Sequence, residues 1–325
     1  MKYMITLTLL ISLLPANGIE QALAERILSI NEDLLGSYAQ PLVNAFSTGV
    51  STGIFQSAYS HDFLGFDVGV HLMSIHIPEA AKYFDGVALI CSLAIDSTLA
   101  YYEVPLESLS TVFGPDNELV IDVPGFAVSI PTTIPGGFEL SSTPLVMPQI
   151  NVGLILGTEI AVRYVPFTFE GTRMSFFGIG VKQEMNKFPL FKPIPLPIGI
   201  AIGGAYQRFD IENAHRNIIA KTATWNVQAI VSKTIGPLEP MVGFGIERTR
   251  AHFNYIFEYE IPDTVNWDPE ERITVEQEVS VHLESQNRYR MIVGCTLKLG
   301  PLHLHYDYNI TPYATHNVSM GVSVR

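Results

Sequence analysis

Histidine and carboxylate residues recur at a spacing of two near the end of the chain. His303, His305 and Asp307 fall on alternate positions, which places them on one face of an extended strand. Asp67 and His71 share a face of another segment in the same way. Such groups are zinc ligands, but a closed site needs three or four that converge. Because nothing in the sequence makes the two segments neighbours, we predict a polar lining and neither a metal site nor a cofactor.

Other ionisable and amide residues occupy the same polar face of their own segments. The full set of candidate lumen-lining residues carries both signs of charge and comprises Asp67, His71, Asn151, Glu159, Arg163, Lys182, Glu184, Arg290, Lys298, His303, His305 and Asp307. A pore lined in this way is expected to have weak charge selectivity.

A second group of ionisable residues is almost wholly acidic. From 258 to 284 the only Lys or Arg is Arg272, and the acids are Glu258, Glu260, Asp263, Asp268, Glu270, Glu271, Glu276, Glu278 and Glu284. Their oxygens could bind calcium or be bridged by divalent cations to surface polysaccharide. The Asp-x-Asp-x-Asp-Gly pattern of a dedicated calcium loop is absent, so the pattern favours a solvated outer loop.

The sequence does not favour an enzyme. Ser319 and His316 are close in sequence but have opposite parity in a strand, so they face opposite sides. The chain has no His-Glu-x-x-His motif and no phosphate-cradling Gly-rich loop that leads into a helix.

Composition narrows the class of protein further. Of 325 residues, 47% are hydrophobic and 16% charged, and the formal net charge is -13. The acid excess excludes nucleic acid as a partner, because nucleic-acid binding needs clustered Lys and Arg. The mean hydropathy of +0.25 is high for a soluble domain, yet past residue 18 no run of about 18 apolar residues occurs. The apolar content must therefore lie in short segments.

Alternation with period two dominates these segments and indicates strands with one apolar face. Large apolar residues alternate with Gly, Ser, Asn, His and charged residues in ten clear cases: Phe66/Val68/Val70/Leu72, Val152/Leu154/Leu156, Ile160/Val162/Tyr164, Phe177/Ile179/Val181, Ile198/Ile200/Ile202/Tyr206, Trp225/Val227/Ala229/Val231, Val242/Phe244/Ile246, Tyr289/Met291/Val293/Cys295/Leu297/Leu299, Leu302/Leu304/Tyr306/Tyr308 and Val318/Met320/Val322/Val324. A soluble exported sandwich would alternate too. Its wet face, however, would carry more Lys, Glu and Thr, so the pattern favours an all-β transmembrane antiparallel barrel.

The connections also alternate in length. Gly157-Thr158, Gly236-Pro237 and Gly300-Pro301 mark tight turns, whereas 249–287 is long. Outer-membrane barrels have short periplasmic turns and long outer loops. Nine strands follow from Met147 onward; 66–77, 87–95 and one within 99–123 would bring the total to about twelve, within a range of 10 to 14.

The N-terminal part of the chain is expected to comprise two segments ahead of the barrel. Residues 1–18 have the charge and apolar run of a secretory signal peptide, with an N-terminal membrane anchor as the alternative. Residues 19–60 are predicted to form a helical hatch or plug, and 61–325 the barrel, with an irregular insert at 106–148. Cys91 and Cys295 could pair, although the apolar parity of Cys295 favours an isolated thiol.

Four stretches carry a resemblance to a known family: YAQPLVNAFSTGVSTGIFQSAYSHDFLGFDVGV, PGGFELSSTPLVMPQINVGLILGTEIAVRYVP, FFGIGVKQEM and HYDYNITPYATHNVSMGVSVR. They resemble a bacterial family of outer-membrane barrels of unknown function, over about Leu34 to Arg325. The layout of a helix ahead of a barrel is distantly similar to that of outer-membrane long-chain fatty-acid transporters. The resemblance implies a barrel in the outer membrane of a Gram-negative bacterium, in contact with its lipid, and assigns no activity.

Two functions remain open from the sequence. The first is a porin-like pore or transporter for small or amphiphilic molecules. The alternative is a structural or surface-interaction barrel with a filled lumen and an acidic extracellular loop.

Overall fold

The structure of this protein is a computed structural model. It describes residues 32–93, 99–117, 119–121, 132–134, 136–169, 172–189, 197–212, 218–262 and 272–324. The predicted signal peptide at 1–18 lies outside these residues.

The described strands are predominantly antiparallel neighbours in one large sheet. In chain order the strands are β1 (Phe66–His76), β2 (Tyr83–Leu93), β3 (Leu99–Ser110), β4 (Leu119–Ile121), β5 (Thr132–Ile134), β6 (Ser142–Gly153), β7 (Thr158–Phe169), β8 (Thr172–Glu184), β9 (Gly199–Glu212), β10 (Ile218–Ser232), β11 (Leu238–Pro262), β12 (Arg272–Glu284), β13 (Tyr289–Leu299), β14 (Leu302–Ile310) and β15 (Thr315–Val324). The sheet of eleven strands runs β10-β9-β8-β7-β6-β1-β15-β14-β13-β11-β12, and β10 also pairs with β11. That pairing closes a ring of ten strands and leaves β12 as an addition to β11.

The closed ring confirms the predicted all-β barrel, and its ten strands lie within the predicted range. The nine strands expected from Met147 onward all belong to the ring. The strand expected at 87–95 is wrong as a barrel strand. Its described part, 87–93, lies in β2, which pairs with β3 as a separate hairpin. The barrel strand expected within 99–123 is wrong too, because β3 pairs with β2, and β4 with β5, outside the ring.

The period-two pattern fixes which face of each strand points outward. In β15, Val318, Met320 and Val322 are exposed, while Asn317 and Ser319, which alternate with them, are buried. Apolar side chains therefore cover the outside of the barrel. The inside carries most of the buried polar side chains and glycines, together with apolar residues in its loop-end half. This is the reverse of a water-soluble fold and the arrangement of a barrel in lipid.

The two ends of the barrel differ in their connections. The links 154–157, 233–237 and 300–301 are short and lie at one end, together with the longer link 185–198; we call this the turn end. The other end, the loop end, carries β2 to β5 between β1 and β6, and β12 between β11 and β13. The loop-end links 170–171, 213–217 and 311–314 are also short, so the two ends differ mainly in these inserted strands. Strand β6 begins at Ser142, so it takes in the last residues of the predicted insert.

The lumen contains the N-terminal part of the chain. Helix α1 (Glu32–Ser51) enters from the loop end, where it contacts β12, β2, β1, β11 and β10. An irregular segment, 52–65, continues from it toward Phe66 at the turn end. We call residues 32–65 the plug. No helix among the described residues is long and apolar enough to cross a membrane.

Candidate functional site in the barrel lumen

The loop-end half of the lumen is apolar and surrounds α1. Ala45 and Val50 of the helix lie in one buried cluster with inward residues of the wall, among them Ile75 and Leu145. A Cβ built on Gly49 would lie 2.6 Å from Ile75 Cδ1. A larger residue here would have to displace the side-chain ends of Ile75 and Leu145, so the glycine allows the helix to pack closely against β1 and β6.

Glycines of the wall make room for the next part of the plug. A Cβ on Gly203 would lie 2.3 Å from Phe55 Cε2, and one on Gly180 would lie 3.1 Å from Phe55 Cζ. Phe55 is itself buried, in a cluster with Ala201 and Ala205 of β9. The glycines that alternate with apolar residues in β8 and β9 therefore form a receptacle for one aromatic ring.

Arg163 of β7 holds the C-terminal end of α1. Its Nη1 donates to the Val50 carbonyl at 2.8 Å, its Nη2 to the Thr52 carbonyl at 2.9 Å, and its Nε to Gln149 Oε1 at 2.7 Å. Carbonyls at a helix C-terminus lack intrahelical donors and carry the negative end of the helix dipole. A buried guanidinium, 2% exposed, is thus satisfied by the plug.

A charged network lies lower, near the turn end. Lys182 Nζ pairs with Glu159 Oε1 at 2.8 Å and donates to the carbonyls of Ser57 and Tyr59. His61 of the plug lies 2.8 Å from Glu159 Oε2 and 3.4 Å from Asp67 Oδ2. Each of these buried charges has a partner, as burial of charge requires. Some of the partners are backbone carbonyls and a histidine of the plug.

Two further carboxylates hold the same segment. Glu184 Oε2 accepts from both the backbone N–H (2.8 Å) and the hydroxyl (2.9 Å) of Ser60. Glu239 accepts from the hydroxyls of Ser57 and Ser232 and pairs with Lys298 Nζ at 2.5 Å. Sequence reasoning missed Glu239, because it follows the tight turn directly and its neighbours do not alternate.

A Ser–His–Asp grouping lies on adjacent strands behind the plug. Ser319 is the Cα partner of both His71 and His305, and His305 Nε2 lies 3.0 Å from Asp307 Oδ2. The other ring nitrogen of His305 is 2.7 Å from Thr296 Oγ1, so neither nitrogen is directed at the serine. Gln56 of the plug donates to Ser319 Oγ at 2.8 Å and lies 3.2 Å from His71 Nε2. In this arrangement Ser319 and His71 both contact Gln56 of the plug.

A Gly-x-Ser-x-Gly pattern, another potential nucleophile motif, spans Gly49 to Gly53. In hydrolases that pattern lies on a strand-to-helix turn, whereas here it is the end of α1. Ser51 Oγ is buried and has no hydrogen-bond partner among the described residues, so no base activates it. Gly53 has φ +68°, the left-handed conformation that ends a helix.

Glu247 and Arg290 complete the lining higher in the lumen. Their side chains form an ion pair of 3.5 Å with almost no exposure, and Arg290 Nη2 donates to Gln228 at 3.0 Å. Ser47 and Thr48 of α1 both donate to Glu247 Oε1 at 3.3 Å. The helix is therefore held on its polar side as well as its apolar side.

Most of the predicted lumen-lining residues are buried inside the barrel. Eleven are buried and inward: Asp67, His71, Asn151, Glu159, Arg163, Lys182, Glu184, Arg290, His303, His305 and Asp307. Lys298 lies at the turn end with 43% of its side chain exposed. Within the described part of the chain, no group of three or more His, Cys, Asp or Glu residues is arranged to hold a metal ion. Cys295 is a free thiol.

The acidic loop is only partly described. Glu258 and Glu276 are Cα partners in the β11–β12 hairpin, and Glu278 is opposite Ile256. Glu260 is opposite Thr274, while Asp263, Asp268, Glu270 and Glu271 lie outside the described residues. At the base of the hairpin the pKa of Glu284 is lowered by hydrogen bonds from Arg248 and Arg250.

Comparison with solved structures gives distant similarities to bacterial barrels. The translocator domain of the autotransporter NalP from Neisseria meningitidis is 8% identical, with 86% of this chain and 93% of that chain covered and a TM-score of 0.29. The outer membrane protease OmpT from Escherichia coli is 9% identical, with 82% and 98% covered and a TM-score of 0.30. Similarities this distant carry no argument about activity.

Comparison by sequence is more specific. A search of curated proteins gave no match. A family model, that of the family of unknown function DUF6588, matches residues 1–324. The match covers nearly the whole chain, and this protein therefore belongs to the family DUF6588.

Proposed function

We propose that this protein is a non-enzymatic β-barrel of the bacterial outer membrane and that an N-terminal signal peptide directs its export. The barrel is closed at rest by its own plug and passes small or amphiphilic molecules when the plug moves. The membrane location is supported by the outer wall, where apolar residues such as Leu72, Val242 and Met320 are all more than half exposed. Such a surface is stable in lipid and unstable in water.

The observation that carries the transport proposal is the chemistry between wall and plug. Side chains of the wall donate hydrogen bonds to the backbone carbonyls of plug residues 50–60: Arg163, Gln149, Lys182, Thr296 and Lys187. Hydrogen bonds of this kind are replaced by bonds to water at small net cost, because both partners remain satisfied after exchange. A wall stripped of the plug would therefore be a hydrated, charged conduit.

A filled structural barrel is the second candidate, and the occupied lumen favours it. The two functions differ in whether the plug must move. A barrel that serves only as a scaffold gains nothing from buried ion pairs such as Lys182–Glu159, since apolar side chains of similar volume fill a lumen equally well or better. For this reason we place the plugged pore first.

A reversible cross-link tests the proposal. A Cβ on Gly199 would lie 3.2 Å from Ala58 Cβ, near the separation of about 3.5–4.5 Å in disulfides. Gly199→Cys with Ala58→Cys, in a background with Cys91→Ser and Cys295→Ser, would join plug and wall once the ring of Tyr59 shifts. We expect conductance in planar bilayers to vanish on oxidation and to return on reduction.

The matched control is the single variant Ala58→Cys in the same background, which should be insensitive to the redox state. If neither the native chain nor the reduced double variant conducts, even under an applied voltage that displaces charged segments, the transport proposal fails and the structural barrel stands. Equal conductance of oxidised and reduced protein, with the disulfide verified by mass spectrometry, would show that the path avoids the plug.

A further inference from the structure

Basic residues cluster on the outside of the barrel near its loop end. Arg208 of β9, Lys221 of β10 and Arg248 and Arg250 of β11 all have outward parity and are exposed. The side chains of Arg208 and Arg250 are 53% and 68% exposed. The protein has a net charge of -13, so this cluster is a locally positive patch. It lies directly above the apolar outer wall, the surface proposed to face lipid.

The cluster borders a groove of about 630 Å³ between β9, β10, β11 and β12. Its ionisable lining residues are Arg208, Lys221, Arg250, His252, His282 and Glu284. Tyr206 lines the lower edge, and Trp225 of β10, directly opposite Tyr206, continues the exposed apolar wall below it. The groove therefore joins a charged upper part to an apolar lower part.

Part of this charge is compensated within the protein. Glu284 pairs with Arg248 Nη2 at 2.8 Å and with Arg250 Nε at 3.0 Å, and Asp210 pairs with Arg208 Nε at 2.8 Å. The four cations thus exceed the two carboxylates by two charges. Lys221 has no ion pair to any residue in the described ranges.

Two histidines lie next to each other in the groove. The rings of His252 and His282 are 3.6 Å apart between centroids. The pKa of His252, in the part of β11 that extends beyond the ring, is lowered by burial and then by His282 and Lys221. Both rings therefore lie beside the basic side chains that line the groove.

We propose that this groove binds the phosphate groups of an anionic lipid in the leaflet that surrounds the loop end. The inference rests on the proposed membrane location. Arginine forms charge-assisted, often bidentate hydrogen bonds with phosphate oxygens, and basic clusters at the membrane surface bind anionic headgroups. The acyl chains would lie on the apolar wall below Tyr206, where Trp225 is 43% exposed. This continuity with the apolar wall selects a lipid over a soluble polyanion.

Binding of a phosphorylated glycolipid tests the proposal directly. The full-length protein in a neutral detergent is titrated with lipid A, with dephosphorylated lipid A carrying the same acyl chains, and with inorganic phosphate, and bound lipid is counted by native mass spectrometry. We expect lipid A to bind more tightly than its dephosphorylated form. Inorganic phosphate should compete only weakly, because it lacks the apolar contact.

The variants Lys221→Gln and Arg250→Gln should weaken lipid A binding by about fivefold each and leave the binding of dephosphorylated lipid A unchanged. Lys233→Gln, which removes an exposed lysine at the turn end, is the matched control and should have no effect. Equal affinity for both forms of lipid A, equal affinity for inorganic phosphate, or an equal loss with Lys233→Gln would overturn the proposal. Insertion into vesicles is measured on the same samples: its failure contradicts the membrane barrel, whereas intact insertion without phosphate preference contradicts the lipid site alone.

Discussion

A single guanidinium, that of Arg163, joins the wall to the plug at two backbone carbonyls. Replacing it in Arg163→Met leaves the carbonyls of Val50 and Thr52 buried without donors. We expect the free energy for opening of the plug to fall by about 2–3 kcal/mol. Amide hydrogens of residues 50–58 should then exchange about 30- to 150-fold faster, while those of the wall strands stay protected.

Arg173→Met is the control for that measurement, because Arg173 lies on the outer face of β8 and is exposed. It removes the same charge and should leave exchange in the plug unchanged. Uniform acceleration throughout the barrel in Arg163→Met would instead mean that the arginine stabilises the wall and not the plug.

The outward face allows a second test at the scale of one residue. Val293 lies in the middle of β13 and Leu299 at its end, and both are about half exposed. An arginine on a lipid-facing position costs about 2–4 kcal/mol at the bilayer midplane and about 0–1 near the interface. Val293→Arg should therefore lower the free energy of unfolding from vesicles much more than Leu299→Arg. Equal losses would argue for a soluble fold.

For the lumen residues, the sequence predicted which side of the strand each side chain lies on, but not which residues it pairs with. Strand parity alone placed Glu159 and Lys182 inward, since a strand has only two faces. Their pairing with each other and with His61 depends on the register between β7 and β8 and on the path of 52–65, neither of which leaves a periodic signal. Glu239, which follows a turn, has no alternating neighbours that could have indicated it.

The end of α1 is the element on which the plug's course depends. Gly53 has φ +68°, and a Cβ there would lie 2.7 Å from His71 Nδ1 and Asn317 Nδ2. Gly53→Ala should thus suffer both the backbone cost of about 1–2 kcal/mol and a clash worth about 1–3 kcal/mol. We expect protease cleavage within 52–65 in the folded, heat-modifiable protein.

The variant Gly236→Ala separates the backbone cost from the cost of the clash. Gly236 has φ +61° but no atom within 4 Å of a built Cβ, so this variant bears the backbone cost alone and should leave the plug resistant to protease. Similar behaviour of the two variants would show that contact with the wall contributes nothing at Gly53.

At the scale of the element, the sequence predicted strands most accurately where the period-two alternation and the turn residues agreed. Strands such as β13, β14 and β15 are bounded by Gly300-Pro301 and by a loop at Thr311, and all three are in the ring. The β2–β3 hairpin has apolar residues and a strand's length, yet both strands leave the barrel. Membership of the ring depends on pairing with strands that are distant in sequence, such as that of β1 with β15, and a single segment carries no signal of such pairing.

The whole molecule has two unlike ends, and their assignment to the two sides of the membrane can be measured. Because outer-membrane barrels have short periplasmic turns, we expect the turn end in the periplasm and the long β11–β12 hairpin outside. In a Cys91→Ser, Cys295→Ser background, we expect Pro312→Cys at the loop end to react with a membrane-impermeant maleimide in intact cells. Lys233→Cys at the turn end should react only after the cells are opened. The reverse pattern would invert the barrel and put the acidic hairpin and the basic groove in the periplasm, whereas full protection of both sites in intact cells would contradict a surface-exposed barrel altogether.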